Sequence, residues 1–327
     1  MAKDVLTSKM KIVGLGLAFI VLIVLPPFYT SYWVTLVTQM LIFAILAMSL
    51  DVLLGYTGMS SFGHAGFFGS AAYVAAILST RYKIGFLGCL VSGMAAVIVI
   101  SMIFGFLVAH ASGVYFLIIT LALGMVLWGL AFRWVTMTGG DNGISGIVRP
   151  DIGLPISTKD PLTYYYFILA FFLICLVLMA ILVRSPFGHS LKGVRESESR
   201  MRVLGYHTWL HKYLSYIVSA AFASIAGILW AYFNGFVSPY DMDLTASIEI
   251  ILMVILGGPG TLVGPALGAG IIVFLKNFIS AYTQRWLLIL GSIYILTILY
   301  APQGFVNLIS DLLKGREKKA DTEEMGQ

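Results

Sequence analysis

Between Lys11 and Arg81 runs IVGLGLAFIVLIVLPPFYTSYWVTLVTQMLIFAILAMSLDVLLGYTGMSSFGHAGFFGSAAYVAAILST (Ile12–Thr80), in which Asp51 is the only formally charged residue. A membrane-spanning helix needs roughly 20 mostly apolar residues. This stretch is therefore too long for one span and must cross repeatedly. Its Gly and Pro residues mark where the crossings end. Lys3, Lys9 and Lys11 precede the apolar run Ile12 to Val24 in the manner of a secretory signal. The next residues are Leu25, Pro26, Pro27 and Phe28 rather than a small-residue cleavage site, so the run reads as a retained first span.

The rest of the chain has the same character. Of its 327 residues, 59% are hydrophobic and 11% charged, where an average soluble domain carries about 25% charged residues. That excludes an ordinary soluble protein. The apolar residues suffice for roughly nine or ten spans, leaving little for a catalytic domain outside the bilayer. The expected spans are 12–27, 34–54, 62–79, 86–109, 112–133, 164–183, 213–235, 246–257, 262–280 and 286–301. The expected fold is thus all-α and polytopic, one membrane domain over 1–316 followed by a charged tail at 317–327.

The net charge of +5 is read as topology before any nucleic-acid role, because cytoplasmic loops of membrane proteins collect Lys and Arg. With ten spans and both termini in the cytoplasm, Arg81, Lys83, Arg133, Arg149, Lys159, Lys276 and Arg285 fall outside or near outer ends. The other 13 of the 20 basic residues fall inside. Cys89 and Cys175 sit inside apolar runs and suggest neither a disulfide framework nor a zinc site. The outer segment Thr136 to Pro161 is rich in turn formers and can dip back toward the membrane, though not as regular helix.

Two glycine-dense stretches stand out. The first is GYTGMSSFGHAGFFG (Gly55–Gly69), and the second is GGPGTLVGPALGAG (Gly257–Gly270), which comes after an apolar run short for a full span. Glycine costs about 1 kcal/mol per helix-interior position. Non-helical backbone at membrane depth survives only where protein or a water-filled cavity satisfies it. Interrupted segments in both halves of a chain point to a translocation pathway between them, with Gly58, Ser61, Gly63, His64, Gly66, Gly257, Gly258 and Gly260 as candidates. The competing reading is that these glycines only let helices approach closely, and that His64 is a satisfied core histidine. The ionisable residues near spans are Asp51, Glu249 and Lys276. Lys276 reads as snorkelling from an outer end, while Asp51 and Glu249 are either packing points or proton or substrate contacts.

The long cytoplasmic loop Arg184 to Lys212 carries an expected amphipathic helix of about 14 residues, starting at Ser190 and stopped by Gly205. Leu191, Val194, Met201 and Leu204 form its apolar side, and Arg195, Glu196, Glu198, Arg200 and Arg202 its polar side. Such a helix sets topology or docks a partner. No P-loop is present, since Gly264 is followed by Pro265 and the dipeptide Gly-Lys is absent. Nor are there G-x-S-x-G, H-E-x-x-H or paired-cysteine motifs. The chain reads as a non-enzyme.

Six motifs in order resemble the permease subunits of bacterial ABC importers for branched-chain amino acids, of the LivM type. They are GYTGMSSFGHAGFFGSAAY (Gly55–Tyr73), GVYFLIITLALG (Gly113–Gly124), TGGDNGISGI (Thr138–Ile147), RSPFGHSLKGVRESESRMRVLG (Arg184–Gly205), SIEIILMVILGGPGTLVGPALGA (Ser247–Ala269) and APQGFVNL (Ala301–Leu308). The resemblance implies a type II ABC importer permease fold in the bacterial inner membrane. It also implies a second, LivH-type permease, two cytoplasmic ATPases that use ATP and Mg, and an extracytoplasmic solute-binding protein. This chain itself would bind no cofactor and no nucleic acid. The resemblance makes the loop around Gly188, Leu191, Arg195, Glu196, Glu198, Leu204 and Gly205 the coupling element toward the ATPases. In this family an amide is expected where this chain has Asp51, so Asp51→Asn is expected to be tolerated. The substrate is expected to be a branched-chain or related neutral amino acid, with urea, amides and aromatic acids remaining within the family. The alternative of another class is a self-sufficient secondary transporter in which His64, Asp51 and Glu249 relay protons, or a passive channel.

Overall fold

The computed structural model describes residues 26–149, 160–283 and 285–300. The described α-helices of more than four residues are α1 (Ser31–Asp51), α2 (His64–Arg81), α3 (Phe86–Val108), α4 (Gly113–Arg133) and α5 (Pro161–Arg184). They continue with α6 (Pro186–Glu196), α7 (Glu198–Val203), α8 (Thr208–Asn234), α9 (Leu244–Gly257), α10 (Val263–Tyr282) and α11 (Trp286–Tyr300). Among the described residues, six helical segments are long and apolar enough to cross a membrane: α1 with its extension to Thr57, α3, α4, α5, α8 and α10. Helices α2, α9 and α11 occupy three more expected positions with less length or less apolar composition. The expected first span at 12–27 apart from Pro26 and Pro27, the motif at 301–308 and the tail at 317–327 lie outside the described residues.

Helix α1 is central. Of its most apolar window 78% is buried inside the protein, against 28% for α3 and for α4. It packs against α10, α5, α8 and α9, while α2, α3 and α8 pack mutually. The close α2–α8 contact arises from small residues at helical spacing. Ser219, Ala223 and Gly227 fall on one face of α8, and a Cβ on Gly227 would sit 2.0 Å from the Phe68 carbonyl oxygen. Backbones approach this closely only where side chains are absent or small. On α3, α4 and α5, Val91, Phe106, Ile118, Val126, Val177 and Ile181 point away from the bundle and are exposed. An apolar exterior over a polar-poor core is the surface that lipid, not water, covers.

The two ends of the bundle differ. One carries α6 and α7. At the other, Ile144–Ser145 (β1) pairs antiparallel with Phe236–Val237 (β2), with Ile144 opposite Val237. The described part of the outer segment is tied to the α8–α9 connection by this ladder, with Ile147 also donating to the Gly235 carbonyl at 3.3 Å. Arg81, Arg133 and Arg184 close the last turns of α2, α4 and α5, where a cation meets the negative end of the helix dipole.

Candidate functional site: two helix breaks beneath a loop helix

The first glycine-rich stretch begins where α1 changes character. Beyond Asp51 the chain widens into a π-helical segment, Val52–Thr57, and stops at Gly58 in the left-handed region at φ 78°. The second stretch ends α9 at Gly257, and the chain then turns through Gly258 (φ 106°), Gly260 (φ 85°) and Leu262 (φ 59°) before α10. Leu262 centres a three-residue turn, with Val263 N–H donating to the Thr261 carbonyl at 2.7 Å. That conformation is strained for a residue with a side chain, and such strain collects at functional sites.

The two breaks touch. A Cβ on Gly55 would lie 2.2 Å from the Gly260 nitrogen and 2.0 Å from Asp51 Oδ1, so only glycine permits the approach. Asp51 fastens it: Oδ1 accepts from Gly260 N–H at 2.7 Å and Oδ2 from Leu262 N–H at 3.1 Å. One fully buried side chain thus satisfies two backbone donors freed by the second break. The geometry revises the expectation for Asp51→Asn. An amide has one acceptor oxygen, and its NH2 would face an N–H donor.

Helix α6 lies over this junction. The Arg195 guanidinium donates to the Gly55 carbonyl, and its Cγ is 3.0 Å from where a Cβ on Gly58 would be. Lys192 Nζ stands 5.3 Å from the centre of the Tyr56 ring, a cation–π contact.

The loop folds differently from the expected single helix. Ser185, followed by Pro186, caps α6 by accepting from Gly188 N–H at 3.3 Å, and Ser197 caps α7 by accepting from Arg200 N–H at 3.3 Å. Ser190 is interior to α6 and bonds to the Phe187 carbonyl. Gly188 sits in a tight corner, its absent Cβ 2.3 Å from the Val183 carbonyl oxygen. Leu191, Val194 and Met201, expected as an apolar stripe offered to lipid or a partner, are instead buried within this chain, whereas Leu204 is 65% exposed and Val203 88%. Gly205, at φ 86°, ends the segment as expected. Glu196 is exposed. Glu198 holds α7 down, accepting from Arg202 at 2.6 Å and from Lys212 at 3.4 Å, while Lys212 also reaches the Ala111 carbonyl at 2.8 Å. Burial pushes the Glu198 carboxyl up, but the Arg202 hydrogen bond and the Lys212 charge outweigh it and hold the group below its ordinary range.

The other candidates separate from the junction. Gly63 and Gly66 form a packing seam with α4, where a Cβ on Gly63 would lie 2.4 Å from the Thr120 carbonyl oxygen and one on Gly66 3.5 Å from Gly124 Cα. Ser61 is buried and accepts from Gly63 N–H at 3.3 Å. His64 Nε2 is 2.7 Å from Ser49 Oγ, and its Nδ1 has no hydrogen-bond partner among the described residues. Glu249 lies toward the other end, where Lys276 donates to both its oxygens at 3.0 and 2.9 Å. Lys276 is therefore an ion-pair partner rather than the snorkelling residue expected. Among the described residues no hydrogen bond joins Asp51, His64 and Glu249. Sequence reasoning missed the Glu249–Lys276 pair and the Leu262 turn. For the two caps a readable signal existed, a serine directly before Pro186 and another directly before Glu198.

An apolar-faced helical bundle with two broken segments meeting under an amphipathic loop defines a multi-pass membrane protein of the permease class. The chain belongs to the branched-chain amino acid transport system / permease component family, whose model matches residues 32–300. It is 31% identical to the high-affinity branched-chain amino acid transport system permease protein LivM of Escherichia coli (strain K12), over 94% of this chain and 78% of that protein. Against LivM of Salmonella typhimurium the identity is 30% over the same shares. Against LivH of Escherichia coli (strain K12) it is 23%, over 81% of this chain and 91% of that protein. No solved structure gives a significant match.

Proposed function

We propose that this chain is the transmembrane permease subunit of an ATP-binding cassette importer that moves branched-chain or related neutral amino acids into the cell. It pairs with a second, LivH-type permease in the bacterial inner membrane. Two cytoplasmic ATPases bind and hydrolyse ATP with Mg, and an extracytoplasmic binding protein delivers the solute. Both termini belong to the cytoplasm in this reading, as the bias of basic residues favours.

The observation that carries this reading is the contact of α6 with both helix breaks. A force applied to α6 from below reaches Gly55 through Arg195, and through Gly55 and Asp51 reaches the second break at Gly260. Val203 and Leu204, exposed beside Arg200 and Arg202, give a partner protein an apolar foothold with a charged rim, the composition from which interfaces are built. Alternating access then results if the breaks adopt two arrangements and the ATPases bias one of them. The test is reconstitution with the partner subunits and a panel of receptors. ATP-dependent accumulation of leucine, isoleucine or valine is expected, and uptake of none of them with any receptor would sink the reading.

A further inference from the structure

At the end of the bundle away from α6 lies a cavity of about 230 Å3. Its ionisable lining is unbalanced, with Asp241, Asp243 and Glu249 against Lys276, and Trp230 and Tyr240 contribute aromatic wall. The acids are fixed in place. Asp241 accepts from Trp230 Nε1 at 3.0 Å and from Ser238 N–H at 2.9 Å, and Asp243 accepts from Ala246 N–H at 2.7 Å at the start of α9. The Glu249–Lys276 pair bridges α9 to α10 and faces the cavity instead of being sealed in apolar packing.

Such a pair can be exchanged without leaving either charge bare. A buried charge stripped of its partner is strongly unfavourable, but a zwitterion carries both replacement charges, an ammonium for Glu249 and a carboxylate for Lys276. We propose that this cavity is a binding subsite for a zwitterionic amino acid. The α-ammonium lies among the carboxylates of Glu249, Asp241 and Asp243, the α-carboxylate lies on Lys276, and the side chain packs against Trp230 and Tyr240. The acid excess rejects anions, so a 2-oxo acid of the same shape does not bind, and a neutral amide gains neither charge contact. The occupied subsite loosens the Glu249–Lys276 tie between the two helices that flank the second break. This proposal rests on the amino-acid importer reading and adds a place in the permease where substrate is recognised.

Two experiments on the assembled importer test it. Cys89 and Cys175 are buried, at 0% and 1% exposure, so a Thr245→Cys variant puts a reactive thiol at the cavity. Millimolar leucine is expected to slow its modification by a membrane-impermeant thiol reagent about tenfold, the protection given by a ligand at roughly ten times its dissociation constant. The 2-oxo acid analogue of leucine is expected to give no protection. The second experiment exchanges the pair, Glu249→Lys with Lys276→Glu, which keeps an ion pair but reverses it. ATPase co-purification is expected to persist while leucine uptake falls about tenfold or more. Uptake at the unmodified rate in the exchanged protein would show a merely structural pair and overturn the proposal. So would equal labelling with and without leucine in a complex that still transports leucine, a result that leaves the importer reading standing. If the exchanged protein does not assemble, the labelling result decides alone. Absence of amino-acid uptake by the unmodified complex removes the importer reading and the subsite together.

Discussion

Asp51 is the residue on which the junction turns, because its two oxygens answer two backbone N–H groups more than 200 positions away in the chain. Replacing it with Asn leaves one donor facing another donor, and an unsatisfied buried group costs about 1 to 3 kcal/mol. Asp51→Asn is therefore expected to lower the thermal stability of the detergent-solubilised protein and to reduce uptake. Unchanged melting and uptake would return Asp51 to the role of a neutral packing position. Gly55→Ala is expected to be more severe, about 3 kcal/mol or more, since it would strike both the Asp51 carboxylate that fastens the junction and the Gly260 backbone, which cannot swing aside. The check is loss of folded protein on size exclusion at normal membrane insertion. That Asp51 was special could be read from its isolation in a charge-free stretch. What it binds could not, because nothing local to residue 51 encodes proximity to Gly260.

At the scale of elements, the glycine-dense stretches were legible as interruptions, since dense glycine opposes a regular helix interior. Two consequences were not separable in advance. Gly58, Gly258 and Gly260 serve the junction, whereas Gly63 and Gly66 serve close packing against α4, and both uses demand the same absence of a side chain. The loop was legible as amphipathic, but the apolar stripe expected to face lipid or a partner turns into this chain's own bundle at Leu191, Val194 and Met201. Its division into α6 and α7 was missed because one helix from Ser190 to Gly205 was favoured over the Ser185 and Ser197 caps. Reversing Arg195 and Glu196, or replacing Leu204 with Asp, is expected to reduce ATPase co-purification while membrane insertion stays intact. Retained co-purification and uptake would refute docking at this loop. The anchor of α7 is pH-dependent. The Glu198 pKa is depressed in the folded protein, so its stabilising contribution is in place above the ordinary glutamate range and is lost as pH falls through the folded value. Proteolysis within 198–212 is expected to rise on acidification below that range. In Glu198→Gln it is expected to be raised already at neutral pH and to change little on acidification.

For the whole molecule, hydropathy and the asymmetry of basic residues gave the class of fold, because lipid imposes long apolar helices and little else. They did not reveal how nine described helical segments interlock at the expected span positions. That arrangement depends on small residues such as Gly227 and on pairs such as Glu249 with Lys276, which join distant segments. The central claim is mechanical: ATP hydrolysis in partner subunits reaches the helix breaks through the contact of Arg195 with Gly55. It is tested most directly by the ratio of ATP hydrolysed to amino acid accumulated in reconstituted importers carrying Arg195→Gln. Coupling through this contact predicts a complex that assembles and hydrolyses ATP but accumulates little amino acid, so the ratio rises about tenfold or more. A ratio equal to that of the unmodified importer would contradict it.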